Sequence, residues 1–142
     1  MADDTPTLPA LLAASGLADR ALALDNAMYR MQWGSAFVIV GTSGTAMVAI
    51  APMFKHLPPG REYAFFTKLL EHNAYMGGMA SFALQPDGWV VLHAGRALRG
   101  LDAEEFAVLV TAVGRFADQF DDELIREFFG SREAAGAPPV GE

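Results

Sequence analysis

The sequence predicts an α+β domain in which a helix, three strands, a second helix, two strands and a long last helix follow one another, with one antiparallel sheet packed against the helices. Three observations carry this order. Gly41-Thr42-Ser43-Gly44 joins two apolar segments as a hairpin turn would, and Pro86-Asp87-Gly88 joins two more. From Phe106 onward the apolar residues recur with a period near 3.6.

The elements follow from local chemistry. Thr7 is a hydroxyl N-cap candidate for a short helix with Pro9 in its first turn, Leu8, Leu11 and Leu12 on one face and Gly16 as its stop. Ala21 to Leu24 reads as a strand before an Asp25-Asn26 turn. Met28 to Gly41 reads either as one longer strand with a bulge or bend at Gly34, or as two strands divided at Gly34-Ser35, and the residues support both. Thr45 to Pro52 completes a three-stranded meander. Pro58 and Pro59 lack amide donors and cannot extend the ladder, so the chain passes to a helix from about Arg61 to Tyr75 with Tyr63, Phe66, Leu69, Leu70 and Asn73 at helical spacing. Gly77-Gly78 ends it. Met79 to Leu84 and Trp89 to His93 form the second hairpin, with Asp87-Gly88 able to supply positive φ. Asp102 and Glu105 have the spacing of a capping box and open the last helix, whose apolar positions are Phe106, Leu109, Val110, Val113, Phe116, Ala117, Phe120 and Leu124. Residues 1–130 are expected to form one domain. Ser131 to Glu142, with Gly136, Pro138, Pro139 and Gly141, is expected to be a flexible tail.

At 142 residues the chain is in the one-domain range, and an apolar fraction of 52% against 19% charged residues excludes bulk disorder. The uncharged stretch Met31 to Met53 is interrupted by Gln32, Gly34, Thr42, Ser43, Gly44 and Thr45 and is not a membrane span. The start, Met1-Ala2-Asp3-Asp4, has no basic region before an apolar core, so a cytoplasmic protein is expected. With no cysteine, disulfides, thiolate catalysis and Cys-ligated metals are excluded together.

The last helix and its exit carry nine acids (Asp102, Glu104, Glu105, Asp118, Asp121, Asp122, Glu123, Glu127 and Glu133) against three bases, Arg115, Arg126 and Arg132. That is six of the seven net negative charges. Such a surface repels a phosphate backbone, so direct nucleic-acid binding is not expected. The acids read as a solvated helix face.

No catalytic constellation is evident. Gly41-Thr42-Ser43-Gly44-Thr45 has strands on both flanks and no Lys after the second Gly, whereas a phosphate loop must open into a helix. His56, His72 and His93 fall on a loop, a helix and a strand without metal-ligand spacing. Ser35, Ser43, Ser81 and Ser131 lack a nucleophile elbow. Asp118, Asp121 and Asp122 lack the returning loop that Ca²⁺ requires. No catalytic, cofactor-binding or metal residue is therefore assigned.

The feature left over is apolar strand residues on both faces. Phe37-Val38-Ile39-Val40 and Met47-Val48-Ala49-Ile50-Ala51 are apolar at successive positions, although a sheet with helices on one side buries only one face. Self-association or capture of an apolar segment would cover the second face, and Met28, Met31, Trp33 and Met47 are the candidate partner-binding residues because flexible Met side chains suit an adaptable surface.

Phe65 to Tyr75 (FFTKLLEHNAY), Ala80 to Leu92 (ASFALQPDGWVVL) and Gly100 to Phe106 (GLDAEEF) stand in an order and spacing that resemble the YbjN family, which in turn is similar to the small dimeric chaperones of type III secretion. The resemblance covers about Leu8 to Phe129. It implies an α+β, type III secretion chaperone-like fold, homodimerisation, and a non-catalytic chaperone or adaptor role in holding a segment of a partner protein. The acidic last helix and Pro-rich tail depart from secretion chaperones. A different class of function also remains open: a small-molecule sensor or an enzyme with a pocket between sheet and helices, using His56, Arg61 and His72 as polar groups.

Overall fold

Residues 4–140 are described by a computed structural model of the chain. Thr7 accepts a hydrogen bond from the Ala10 amide at 3.3 Å and opens α1 (Leu8–Ser15), which Gly16 ends in the left-handed region. Six strands follow in two groups: β1 (Ala21–Ala23), β2 (Tyr29–Trp33), β3 (Ala36–Ser43) and β4 (Ala46–Phe54) before α2 (Glu62–Met76), then β5 (Ser81–Leu84) and β6 (Val90–Ala97) before α3 (Ala103–Leu124). The sheet is antiparallel throughout, in the order β1-β2-β3-β4-β6-β5.

The first group has one strand more than the three-stranded meander expected from sequence. The chain reverses at Gly34-Ser35, where Trp33 pairs with Ala36 across a two-residue turn, and Gly34 takes φ +60°. Only a glycine does so without steric cost, and a Cβ there would lie 2.4 Å from the Asp118 carboxylate. The ladder irregularity lies instead between Pro52 and Phe54, where proline removes a donor. Gly41 to Thr45 is the β3–β4 hairpin, closed by the Ser43–Ala46 pair with Gly44 at φ +60°.

One face of the sheet is covered. Met31, Val38, Val40, Met47, Ala49 and Ala51 point to α3 and join Phe106, Val110, Val113, Ala117 and Phe120 in a single hydrophobic cluster. The α3 N-terminus is capped by Asp102, whose carboxylate accepts the Glu105 amide at 2.7 Å. Helix α1 packs on α3. On the other flank α2 is tied to β5 by Asn73, whose side chain accepts the Phe82 amide at 2.7 Å. Beyond Leu124 the helix continues as a π turn, Ile125–Phe129, and Phe128 and Phe129 meet Phe65 at ring distances of 5.2 and 5.5 Å.

The expectation of a flexible tail from Ser131 is corrected for the described part of it. Ser131 caps a short helix, α4 (Arg132–Ala135), by accepting the Ala134 amide at 3.0 Å. Ala135 has no exposed surface, and the carbonyls of Ala135 and Gly136 accept the amides of His56 and Lys55 at 3.1 and 3.2 Å. The small side chains that made the segment look unanchored are what let its backbone approach that of β4's exit. Gly141 and Glu142 lie outside the described residues.

Candidate partner-binding surfaces

Strand alternation assigns each sheet residue to a face, and the cross-strand register fixes its neighbours. Met31 and Met47 have none of their surface exposed and face the helices. Trp33 lies on the same side, against α3: a Cβ on Gly114 would fall 2.3 Å from its ring, and the Arg20 guanidinium covers it at 4.1 Å. These three side chains are core, which corrects the expectation that they form a surface. Met28 alone of the four sits on the other face, where its Cγ would be 3.2 Å from a Cβ at Gly41.

The outer face carries its own apolar rows. Leu22, Arg30, Ile39, Ile50, His93 and Ser81 stand opposite one another across all six strands. Two residues along lie Gln32, Phe37, Pro52, Val91 and Ala83. Phe37, Ile39, Val48 and Ile50 are half-buried by their strand neighbours yet belong to no helix contact of the main core. No strand contains an Asp or Glu, and Arg30 is stacked 4.0 Å over Phe37. In β3 and β4 the sequence showed that both faces were apolar, and those residues alone gave no reason to prefer one alternating set over the other as core. The signal that could have decided it is the Arg30 and Gln32 pair, which marks the β2 positions alternating with Met31 as outward.

A second unpartnered surface lies on α2 and the edge strand β5. Tyr63 is 87% exposed, Leu70 and Tyr75 are each 68% and Leu84 is 53%. Leu70 and Leu84 line a groove of about 330 Å³ with Phe66, Leu69, Phe82 and Val90, whereas the Tyr75 ring lies against Phe116 of α3 at 6.3 Å. Tyr63, Leu70 and Leu84 were outside the sequence assignment of partner-binding residues.

The polar residues held for the alternative reading are committed to separate local contacts. His72 stacks on Phe120 at 4.1 Å, with Glu123 3.4 Å from its Nε2. Arg61 lies over Phe128 at 4.6 Å, and His56 binds the Ala135 carbonyl through its amide. Among the described residues no group of three His, Asp or Glu side chains could hold a metal ion, and no helix is long and apolar enough to cross a membrane.

The acids of α3 are not uniformly solvated. Asp121 is only 3% exposed, and Ser35 Oγ in the β2–β3 turn lies 2.6 Å from its Oδ2 and 2.8 Å from Asp118 Oδ1. Arg132 Nη1 is 3.3 Å from Asp121 Oδ2. Burial, the largest influence, pushes the Asp121 carboxyl up from its ordinary value.

No family model and no curated protein matches this sequence. Solved structures do match it in three dimensions. A chain of the ExsC–ExsE complex superposes with a TM-score of 0.62 at 20% identity, covering 87% of this chain and 97% of that one. A chain of the ExoU–SpcU heterodimer from the type III secretion system of Pseudomonas aeruginosa gives 0.62 at 17% identity, covering 82% and 96%. The fold is type III secretion chaperone-like. E. coli YbjN shares it at a TM-score of 0.51 and 12% identity, over 86% of this chain and 96% of YbjN. At these identities the likeness establishes architecture, and the α+β, secretion chaperone-like fold implied by the three motifs is the one observed.

Proposed function

We propose that the protein is a non-catalytic, dimeric chaperone-like or adaptor protein that holds an extended segment of another protein on the outer face of its sheet. The observation that carries this is the partly exposed apolar pair Ile39–Ile50 with Phe37 and Pro52 beside it, which stands outside the main hydrophobic cluster. Each square ångström of apolar surface removed from water there contributes about 25 cal/mol. Met28 borders the face and belongs to the proposed surface. Several structures of the same fold contain a bound partner: SycH of Yersinia pestis with a fragment of YscM2, and the HopA1–SchA chaperone–effector complex. Those partners are facts about those proteins and support a binding role for this one.

The α2–β5 surface suits the homodimer contact, since Leu70 and Leu84 line a groove into which a second copy's equivalent residues would pack. Sedimentation equilibrium at tens of micromolar tests it. A dimer mass is expected, and a mass near the 15.2 kDa of one chain contradicts it. For partner capture, protein purified from its native extract should retain a polypeptide that a folded Ile39→Lys variant does not retain.

A further inference from the structure

Asp121 is the buried acid among the described residues, and its surroundings pose a counting problem. Ser35 Oγ is 2.8 Å from Asp118 Oδ1 and 2.6 Å from Asp121 Oδ2. A hydroxyl has one proton to donate. With both carboxylates ionised, one of these two close oxygen pairs would contain no hydrogen. A single added proton removes the conflict.

The position of that proton follows from the two carboxylates' settings. Asp118 is exposed, and its Oδ1 also accepts the Ser35 amide at 2.8 Å. It is the natural acceptor of the Ser35 hydroxyl. Asp121 has the opposite setting: burial raises its pKa, and the neighbouring Asp122 carboxylate adds to the rise. The groups that favour its charge are the Ser35 hydroxyl wherever it donates to Oδ2 rather than to Asp118, the Asp122 amide, 2.6 Å from Oδ1, and Arg132, which is divided among Asp121 at 3.3 Å, Asp122 at 3.8 Å and, through Nη2, the Pro138 carbonyl at 2.8 Å. The β2–β3 turn presents only Ser35.

We infer that one carboxylic proton resides on Asp121, which donates it to Ser35 Oγ while the Ser35 hydroxyl donates its own hydrogen to Asp118, and that these two linked hydrogen bonds are a pH-sensitive fastening of the β2–β3 turn to α3. Loss of the proton frees Asp121 to pair more fully with Arg132 of α4, so the same carboxyl holds the turn in its protonated form and the C-terminal segment in its ionised form. Both segments border the outer face. A cavity of about 10 Å³ at the junction is lined by Ser35, Phe37, Pro52, Asp121, Arg132 and Pro138. Because the folded state holds this proton more tightly than the unfolded chain, the stabilising contribution is complete below the ordinary value of 3.8 and is lost as pH rises through the higher folded value.

Carboxyl-carbon NMR titration of the full chain tests the inference. The Asp121 midpoint is expected above 3.8 in the wild type and should fall in Ser35→Ala, because that variant removes the acceptor of the Asp121 proton. A midpoint that rises or stays fixed in Ser35→Ala would mean that the hydroxyl donates to an ionised Asp121, and the inference would fail. Asp121→Asn supplies an N–H in place of the carboxylic proton. Its urea-unfolding stability should lack the gain that the wild type shows as pH falls toward 3.8, and equal pH slopes for the two proteins would overturn the proposal.

Discussion

The two faces of this sheet are built from the same kinds of residue and have different fates. On the inner face Val38, Val40, Met47 and Ala49 are fully buried under α3. On the outer face Phe37, Ile39, Val48 and Ile50 alternate with them and remain half-exposed. Composition does not separate the two faces, because β3 and β4 are apolar at successive positions. The helix layer separates them: α3 presents one apolar stripe, flanked by α1 and α2, and all three lie on the same side. The helix layer therefore does not account for the hydrophobicity of the outer face, which is the surface proposed for binding.

Substitutions to lysine break this comparison most sharply. Met31→Lys places a charge where no surface is exposed and should destabilise the fold by about 3–5 kcal/mol, read as loss of the cooperative transition in circular dichroism melts. Removing residues 131–142 should cost about 2 kcal/mol, since it deprives the Lys55 and His56 amides of their acceptors and uncovers the surface beneath Ala135; urea titration would show a lower midpoint. Gly34→Ala combines positive φ with a Cβ 2.4 Å from the Asp118 carboxylate and should cost about 1–3 kcal/mol by the same assay. Ile50→Lys on the outer face should change stability least, by about 1 kcal/mol or less, because its ammonium can reach water while its stem keeps packing on the sheet. If Ile50→Lys proved as damaging as Met31→Lys, the two faces would be equivalent and the comparison would collapse.

Much of the fold was legible because it is written locally. Thr7 and Asp102 cap their helices, Gly77 ends the second, and the apolar period from Phe106 to Leu124 marks α3 before any tertiary contact is known. What was not legible depends on partners distant in sequence. Whether Gly34 was bulge or turn is decided by its seat on Asp118, more than eighty residues away in the chain. Asp121 looked like one more solvated acid until the β2–β3 turn and α4 closed over it. The tail's Gly and Pro residues suggested disorder, yet the small size of Ala135 and Gly136 is what permits backbone docking beside Lys55 and His56. Met31 and Met47, expected at a surface, lie in the core, because a methionine fills a core gap as readily as it makes an adaptable surface.

The central claim is that the outer face holds a segment of another protein, and the most direct measurement compares what wild type and Ile50→Lys retain from native extract, by mass spectrometry, after both have been shown to share one circular dichroism spectrum. A single polypeptide in stoichiometric amount with the wild type and lost from Ile50→Lys is the expected result. The same polypeptide retained equally by both proteins would contradict the account.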